Sequence, residues 1–466
     1  MKIIIIGIGK VGYALAQSLS SEGHDVTIID DNLKVIDKVE NELDVMPIKG
    51  NAFSTSTLLD AGCKEADFVI TVTGKDEVNM LCCLTAKKLG AKRTAARIRD
   101  PQYARELLLI KEDLGLDMVI NPEEAAADEI ARLLTTPGAI KIQNFAKGRV
   151  RMMDFIVKED MPIAGMQLKA IAAHYSIPVL IGAVTRNNHL IIPNGDFRIE
   201  SGDSVFIIGK TADVYSFSKI LSPAPTKVRN VMIVGGSRIA YYLARLLGQM
   251  HIKVKLIERD EAQCEHFAEI LPQALIINGD GTDSTLLHSE QLENMDGFVS
   301  LTGSDEENII SSILAMRASV PYVITKMSKN HCDTLTAPLG LDIVIKPQEI
   351  ITNHILKFVR GHAVETLHRI LGNQGEIIEF IATKEDPIVG IPLSKLQLVP
   401  DVLIATIVRK NAVVIPTGND SIEEGDRVLI ITKNHVNNFK DIVLSTGGLA
   451  SELKNSIKKL GNVIGM

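Results

Sequence analysis

The chain opens with an apolar run, Ile3-Ile-Ile-Ile6, followed at once by Gly7-Ile8-Gly9-Lys10-Val11-Gly12 and a stretch with apolar or small residues at Val11, Ala14, Leu15 and Leu19. A continuous apolar run suits a strand covered on both faces, and the later spacing suits one face of a helix. Val26–Asp30 reads as a second strand ending in a carboxylate. Strand-like runs at Val45–Ile48, Phe68–Val72, Thr94–Ile98 and Met118–Ile120 then alternate with helix-like stretches, one of them opened by Asp100-Pro101. Such alternation predicts a doubly wound parallel sheet with strand order 3-2-1-4-5-6.

From about Ile140 the pattern changes to short runs separated by turns: Met152–Val157, Val179–Val184, His189–Ile192 and Asp203–Ile208. Connections this short predict a small α+β domain with antiparallel strands. The text then restarts with Val231–Val234, Gly235-Gly236-Ser237-Arg238-Ile239-Ala240 and a strand ending at Glu258. Landmarks recur at an offset of 228 for Gly7/Gly235 and Asp30/Glu258, and 229 for Gly50/Gly279, Thr73/Thr302, Asp76/Asp305 and Arg97/Lys326. Pro162-Ile-x-Gly165 returns as Pro387-Ile-x-Gly390, and Ser201-Gly-Asp203 as Glu424-Gly-Asp426. The whole plan is duplicated. The expected fold class is α/β, with two Rossmann-like doubly wound domains at 1–136 and 229–358, followed by small domains at 140–222 and 363–446 respectively. Leu221–Lys227, rich in Pro, reads as a stiff linker, and the segment beyond Leu444 as a fraying terminal helix.

Composition narrows the function. A net charge of −7 argues against a broad surface for duplex nucleic acid, and aromatics at 4% with no Trp leave few stacking platforms for single strands, so no nucleic-acid partner is expected. No stretch approaches the roughly 18 apolar residues of a membrane span, and the first strand begins almost at Met1, so neither an N-terminal secretion signal nor a membrane-embedded segment is expected. Cys63, Cys82, Cys83, Cys264 and Cys332 form no Cys-x-x-Cys pair and suit a reducing cytosol as core or incidental residues; no metal site or catalytic residue is expected.

A glycine turn between strand and helix brings a pyrophosphate close to backbone amides at the positive end of the helix dipole. Gly7, Gly9 and Gly12 have that spacing, and Asp30 stands 18 residues after Gly12, where a carboxylate accepts hydrogen bonds from a ribose. A 2′-phosphate there would set like charges a few Å apart, a repulsion on the order of 4 kcal/mol per pair at 4 Å and an effective dielectric of 20. NAD(H), ATP or ADP is therefore expected over NADP(H). Asp30 otherwise reads as a helix cap or a solvated strand-end charge, and Asp31 can share its role. In the second repeat Ser237 and Ala240 replace two glycines and Glu258 replaces the aspartate; Ser237 either crowds or hydrogen-bonds the pyrophosphate. Arg238 either pairs with phosphate at the helix start or is a solvated surface charge. Thr73, Gly74 and Thr302 follow the fourth strands, where Thr73 and Gly74 can line a ribose; Asp76 and Asp305 read as helix caps. Arg97, with Lys326 as its counterpart, can reach a phosphate from the fifth strand.

Taken in order and in duplicate, Gly7-x-Gly9-x-x-Gly12, Asp30, Gly50-Asn51, Val72-Thr73 to Asn79, Ala96-Arg97 and the paired Pro-Ile-x-Gly segments resemble the regulator-of-potassium-conductance family in its two-module form. That resemblance implies a protein on the cytosolic face of the membrane, bound to a Trk-type potassium-translocating subunit and self-associated into a dimer or ring. It also implies regulation by NAD(H) or ATP/ADP at Gly7, Ile8, Gly9, Lys10, Val11, Asp30, Asn51, Thr73, Gly74 and Arg97, with Gly235, Gly236, Ser237, Arg238, Ile239, Glu258, Asp280 and Thr302 in the second repeat. The family's Gly-Asp after the third strand is Gly50-Asn51 here, although Gly279-Asp280 keeps it. The competing function is an NAD-dependent oxidoreductase, which needs an acid or base beside the nicotinamide. His174 and His189 of the small domain read instead as ordinary surface or core residues. Glu123, with Gln348 as its counterpart, can touch a divalent ion held by bound phosphates.

Overall fold

A computed structural model describes residues 1–444 apart from 101–102, 104–105, 107–110, 112, 137–138, 222–226, 329–337, 361–363, 371–373, 435 and 437. The Asp100-Pro101 helix start, the Leu221–Lys227 linker, Cys332 and the tail beyond Leu444 thus fall wholly or largely outside the described residues.

The first Rossmann-like domain runs β1 (Lys2–Ile6), α1 (Lys10–Ser21), β2 (Asp25–Asp30), α2 (Leu33–Glu42), β3 (Met46–Lys49), α3 (Thr55–Asp60), β4 (Phe68–Thr71), α4 (Asp76–Leu89), β5 (Arg93–Arg97), β6 (Met118–Ile120) and α5 (Pro122–Leu134). Its six strands pair in parallel in the order β3-β2-β1-β4-β5-β6. Ile3, Ile4, Ile5 and Ile6 are all at most 2% exposed, because helices cover both faces of the sheet. The order reverses between β1 and β4, which opens a crevice at their carboxyl ends.

A small domain follows, with β7 (Lys141–Phe145), β8 (Val150–Ile156), α6 (Leu168–Tyr175), β9 (Val179–Arg186), β10 (His189–Ile191), β11 (Ser204–Lys210) and α7 (Thr211–Leu221), its sheet ordered β10-β9-β11-β8-β7. Strand β7 was not legible as a separate run; only Ile142 and Phe145 of its five residues are buried. The second repeat gives β12 (Asn230–Val234), α8 (Arg238–Gln249), β13 (Lys253–Glu258), α9 (Glu261–Ile270), β14 (Ala274–Asn278), α10 (Ser284–Ser289), β15 (Gly297–Ser300), α11 (Asp305–Arg317), β16 (Tyr322–Lys326), β17 (Ile343–Ile345) and α12 (Pro347–Arg360). Its sheet order, β14-β13-β12-β15-β16-β17, matches the first strand for strand. The second small domain holds β18 (Val364–Ile370), β19 (Gly375–Ile381), β20 (Val402–Arg409), β21 (Ala412–Val414) and β22 (Arg427–Thr432), in the order β18-β19-β22-β20-β21.

Domains associate by kind. Contacts divide the chain into one unit of Met1–Lys141 with Ala224–Val359 and another of Ile142–Pro223 with Arg360–Met466. Within the first unit α5 packs on α8. The Asn121 side chain at the start of α5 donates to the Tyr242 hydroxyl at 2.8 Å, which donates to the Arg99 carbonyl at 3.2 Å. The end of α12 sets Phe358 edge-on against Phe68 of β4, with ring centroids 5.3 Å apart. At the matching position of β15, Gly297 makes room for Leu134 at the end of α5. Within the second unit one apolar core draws on both small domains, among them Phe145, Met152, Leu190 and Ile208 from the first and Ile377, Ala405, Leu429 and Ile431 from the second.

The edges of that second unit repeat their hydrogen bonds in both directions. Arg149 donates to the Lys410 carbonyl, and Gln374 donates to the Asn188 carbonyl at 2.9 Å. A β-carbon on Gly182 would overlap Ile431 Cδ1, and one on Gly375 would overlap Leu190 Cδ2. Cys63, Cys82, Cys83 and Cys264 are buried free thiols; burial pushes Cys82 up to about 11 and Cys83 up to about 12, away from the reactive thiolate. Among the described residues no helix is long and apolar enough to cross a membrane.

Candidate functional site

At the carboxyl end of β1, Gly7 turns the chain with φ +92°, and a β-carbon there would stand 2.8 Å from the backbone of Thr73. Glycine is required because the turn takes a left-handed conformation and is backed directly by the next strand end. Gly235 repeats this, with φ +97° and a β-carbon position 2.8 Å from Thr302 Cα. Gly9 caps α1, and a β-carbon added to it would meet nothing within 4 Å, so its bareness leaves open space before the helix amides. Gly12 is different: a β-carbon would run into the Gly7 carbonyl, so this glycine serves close helix-to-turn packing.

Asp30 closes the turn from the side. Its Oδ2 accepts from the Ile8 amide at 2.7 Å and its Oδ1 from the Asn32 amide at 2.9 Å. Glu258 does the same in the second repeat, accepting from Gly236 at 2.6 Å and Asp260 at 2.9 Å. Each carboxylate is thus pinned at the strand end beside the glycine turn, with lone pairs to spare for a ribose. The extra methylene of Glu258 is accommodated because Gly236 is bare: a β-carbon there would come within 3.0 Å of Glu258 Oε2 and 2.8 Å of Phe267.

The replacement of Gly9 by Ser237 does not close the second site. The Ser237 hydroxyl accepts from the Ala240 amide at 3.3 Å and so caps α8. An open cleft remains, lined by Gly235, Gly236, Ser237, Glu258, Asp280, Thr302 and Gly303, with Arg259 and Glu307 facing each other at 3.4 Å. Asp280 receives the Thr282 amide and hydroxyl, each at 2.8 Å, and these bonds hold its carboxyl below the ordinary range. In the first repeat the Asn51 side chain makes the matching turn, accepting from Phe53 at 3.0 Å.

Several side chains point elsewhere than their sequence context suggests. Asp76 and Asp305 do not cap the helices after the fourth strands; Lys75 and Ser304 hold those positions. Both aspartates lie one residue inside the helix and reach across to the segment just beyond the fifth strand. Asp76 accepts from the Arg99 and Asp100 amides at 2.7 and 2.9 Å, and Asp305 from Ser328 at 3.0 Å. The Thr73 hydroxyl donates to Asn79 Oδ1 at 2.7 Å, which leaves its lone pairs as the groups it can offer a ligand. Ile8, Val11 and Ile239 are buried and offer only backbone to a ligand, while Lys10 and Arg238 are exposed at the first turns of α1 and α8.

The fifth-strand cations are held in two different ways. Arg97 Nη2 lies 3.6 Å from Glu123 Oε1, with Arg97 Nε and Glu123 Oε2 buried and lacking hydrogen-bond partners. Burial depresses the guanidinium, partly offset by Glu123. Lys326 Nζ donates to the Thr302 carbonyl at 2.6 Å. Burial lowers its ammonium too, Asp305 and Glu123 oppose that shift, and Lys10 of the other repeat adds to it. Gln348, the counterpart of Glu123, donates to the Ser328 carbonyl at 3.2 Å.

Two six-stranded parallel sheets, each with a glycine turn and a pinned carboxylate at its switch point and a basic residue ending the fifth strand, define a tandem protein of the Rossmann-like fold class. The TrkA-N domain matches residues 3–122 and 231–347, and the TrkA-C domain matches 152–222 and 377–443. The chain belongs to the TrkA family. It is 38% identical to the Trk system potassium uptake protein TrkA homolog of Archaeoglobus fulgidus, over 93% of this chain and 97% of that one. It is 35% identical to TrkA homolog 1 of Methanosarcina mazei, over 93% and 97%. To the TrkA of Haemophilus influenzae it is 33% identical, over 94% and 97%. Among solved structures, the GsuK RCK domain superposes with a TM-score of 0.62 at 18% identity, covering 92% of each chain. The GsuK channel bound to NAD gives 0.62 at 16%, over 92% of this chain and 76% of that one. These structures share the fold.

Asn79 and Asn308 close the motifs that follow the fourth strands, but local sequence assigns them no role; each stands six residues after a threonine just beyond its strand end. Both are 0% exposed and bond that threonine and the fifth strand.

Proposed function

We propose that this chain is the cytosolic, nucleotide-binding regulatory subunit of a Trk-type potassium uptake system, lying against a membrane potassium-translocating subunit whose gating follows the ligand state. The observation that carries this is the pair of pinned carboxylates, Asp30 and Glu258, each beside an open glycine turn at a sheet switch point, in a chain whose relatives are named potassium uptake proteins. NAD(H) and ATP/ADP are the ligands that suit it, since both offer a ribose to the carboxylate and phosphates to the turn. A basic residue at the first turn of a helix opposes the helix dipole. Lys10 and Arg238 both stand there, an unfavourable placement that a bound phosphate relieves. The NAD carried by the GsuK channel supports the same ligand class.

A binding role is favoured over the oxidoreductase alternative by the commitments of the polar side chains at the switch point. Asp76, Asp305, Asn79 and Asn308 are all engaged by neighbouring protein groups, Asp76 by the Arg99 side chain as well as backbone amides and Asn79 by the Thr73 hydroxyl as well as backbone. Proton transfer needs a group free to reach substrate. Self-association is supported by Leu81 and Ile310, duplicate positions on α4 and α11 that stand 48% and 49% exposed.

A ligand shifts a conformational balance only by its differential affinity for the two states. The test is the melting temperature of the purified protein with NADH, NAD⁺, NADPH, ATP or ADP, together with NADH consumption across a substrate panel. A ligand at 100 times its dissociation constant adds about 2.7 kcal/mol. Stabilisation by NADH or ADP with no turnover is the expected result; turnover would establish the oxidoreductase, and no shift with any ligand would remove the sensor reading.

A further inference from the structure

We propose that Asn79 and Asn308 are positioning residues that set the distance between the glycine turn and the cation at the phosphate end of each site. The inference rests on the nucleotide-binding reading above. Asn79 Oδ1 accepts from the Thr73 amide at 2.9 Å and the Thr73 hydroxyl at 2.7 Å; its Nδ2 donates to the Arg97 carbonyl at 2.8 Å and, more weakly, to the Thr73 carbonyl at 3.4 Å. Asn308 repeats the pattern with the Thr302 amide at 2.8 Å, the Lys326 carbonyl at 3.0 Å and the Thr302 carbonyl at 3.4 Å.

What each amide ties together is specific. Thr73 is the backbone against which Gly7 turns, with no space for a β-carbon between them, and Thr302 plays the same part for Gly235. Arg97 and Lys326 carry the cations of the fifth strands. One buried side chain therefore holds the wall behind the glycine turn and the backbone of the cation that ends the fifth strand at the same time. The adenosine carboxylates, Asp30 and Glu258, are fixed on the other side of the first strand by their own amides and do not depend on this bracket. Asparagine offers an acceptor and a donor at this reach, whereas aspartate lacks the donor, serine lacks the span, and glutamine adds a methylene.

The separation predicts a split between ligands. In full-length protein titrated calorimetrically, Asn79→Asp keeps the shape and the Thr73 acceptor but loses the donor to Arg97. ADP affinity should then fall about tenfold or more at one site, the scale of one charge-assisted hydrogen bond, while adenosine affinity changes less than about twofold. Asn308→Asp should do the same at the other site alone. Asn79→Ser and Asn308→Ser provide the same comparison should a buried aspartate unfold the domain, with circular dichroism reporting the fold. Equal losses for adenosine and ADP would make the asparagine merely structural, and unchanged ADP affinity in folded variants would overturn the positioning role. Failure of the unmutated protein to bind either ligand would instead overturn the nucleotide-binding reading, and this inference with it.

Discussion

Arg97 and Glu123 face each other at 3.6 Å while each keeps a buried polar atom, Nε on one and Oε2 on the other, without a hydrogen-bond partner. The pair is too long for a good hydrogen bond and too enclosed for free hydration. An incoming phosphate competes with Glu123 for the guanidinium. Glu123→Gln, which copies Gln348 of the second repeat, should tighten ADP at the first site by about three- to tenfold. The ligand-free protein should lose about 1–3 kcal/mol of stability, because the buried Arg97 loses its nearest counter-charge and keeps only the more distant Asp76. Calorimetry and denaturant unfolding measure the two effects, and unchanged ADP affinity would mean that Arg97 does not meet phosphate.

Asp30 provides the sharpest check on ligand class. Asn at this position removes the charge that repels a 2′-phosphate while keeping the size. The preference for NADH over NADPH should narrow by about tenfold or more in Asp30→Asn, given a like-charge term on the order of 4 kcal/mol before screening. Competitive displacement by the two dinucleotides reads the ratio directly; an unaltered ratio would place the ribose elsewhere.

Lys326 predicts a pH dependence. Its ammonium titrates below the ordinary 10.5 because of burial. A bound phosphate restores the charged form, so the complex keeps the proton to higher pH than the free protein does. Affinity at the second site should be flat near neutrality and fall as pH rises through the free Lys326 value toward 10.5, with proton uptake on binding. Lys326→Arg, which stays charged over this range, should flatten the profile of ADP affinity against pH.

The small-domain core makes a prediction about stability alone. Gly182 admits the tip of Ile431 from the opposite repeat, so Gly182→Ala overpacks the shared core and should cost about 1–3 kcal/mol. Ile431→Val creates a small void by itself, at about 0.5–1.5 kcal/mol. In the double variant the added and removed methyl groups fill the same space, and the two costs should largely cancel. A denaturant double-mutant cycle with no coupling would show that the two side chains do not meet in solution.

Much of this architecture was legible because parallel sheets advertise themselves. Ile3–Ile6 and Val231–Val234 are continuous apolar runs followed by glycines, and the offset landmarks carried the strand order from one repeat to the other. The carboxylates were readable for the same reason: they end a strand at a set distance from the turn. What was not legible depends on groups that meet across the fold. Ser237 reads in sequence as either crowding or hydrogen-bonding a pyrophosphate, and in the fold its hydroxyl caps α8. Asp76 occupies a helix start and satisfies amides 23 and 24 residues away, a use that local capping preference does not anticipate. The Thr73 hydroxyl turns inward because a buried asparagine six residues later needs it. Nor does any periodicity reveal that like domains pair with like, since the contacts that join Asn121 to Tyr242 and Gly182 to Ile431 link repeats more than a hundred residues apart.

That pairing has a consequence in mass action. Each compact unit takes one domain from either half of the chain, so an arrangement that two separate copies of a half-length protein would reach only above their dissociation constant is here present at any dilution. The two glycine turns, at Gly7 and Gly235, thus lie in one unit of a single covalent chain, and their pairing does not vary with how much protein the cell makes.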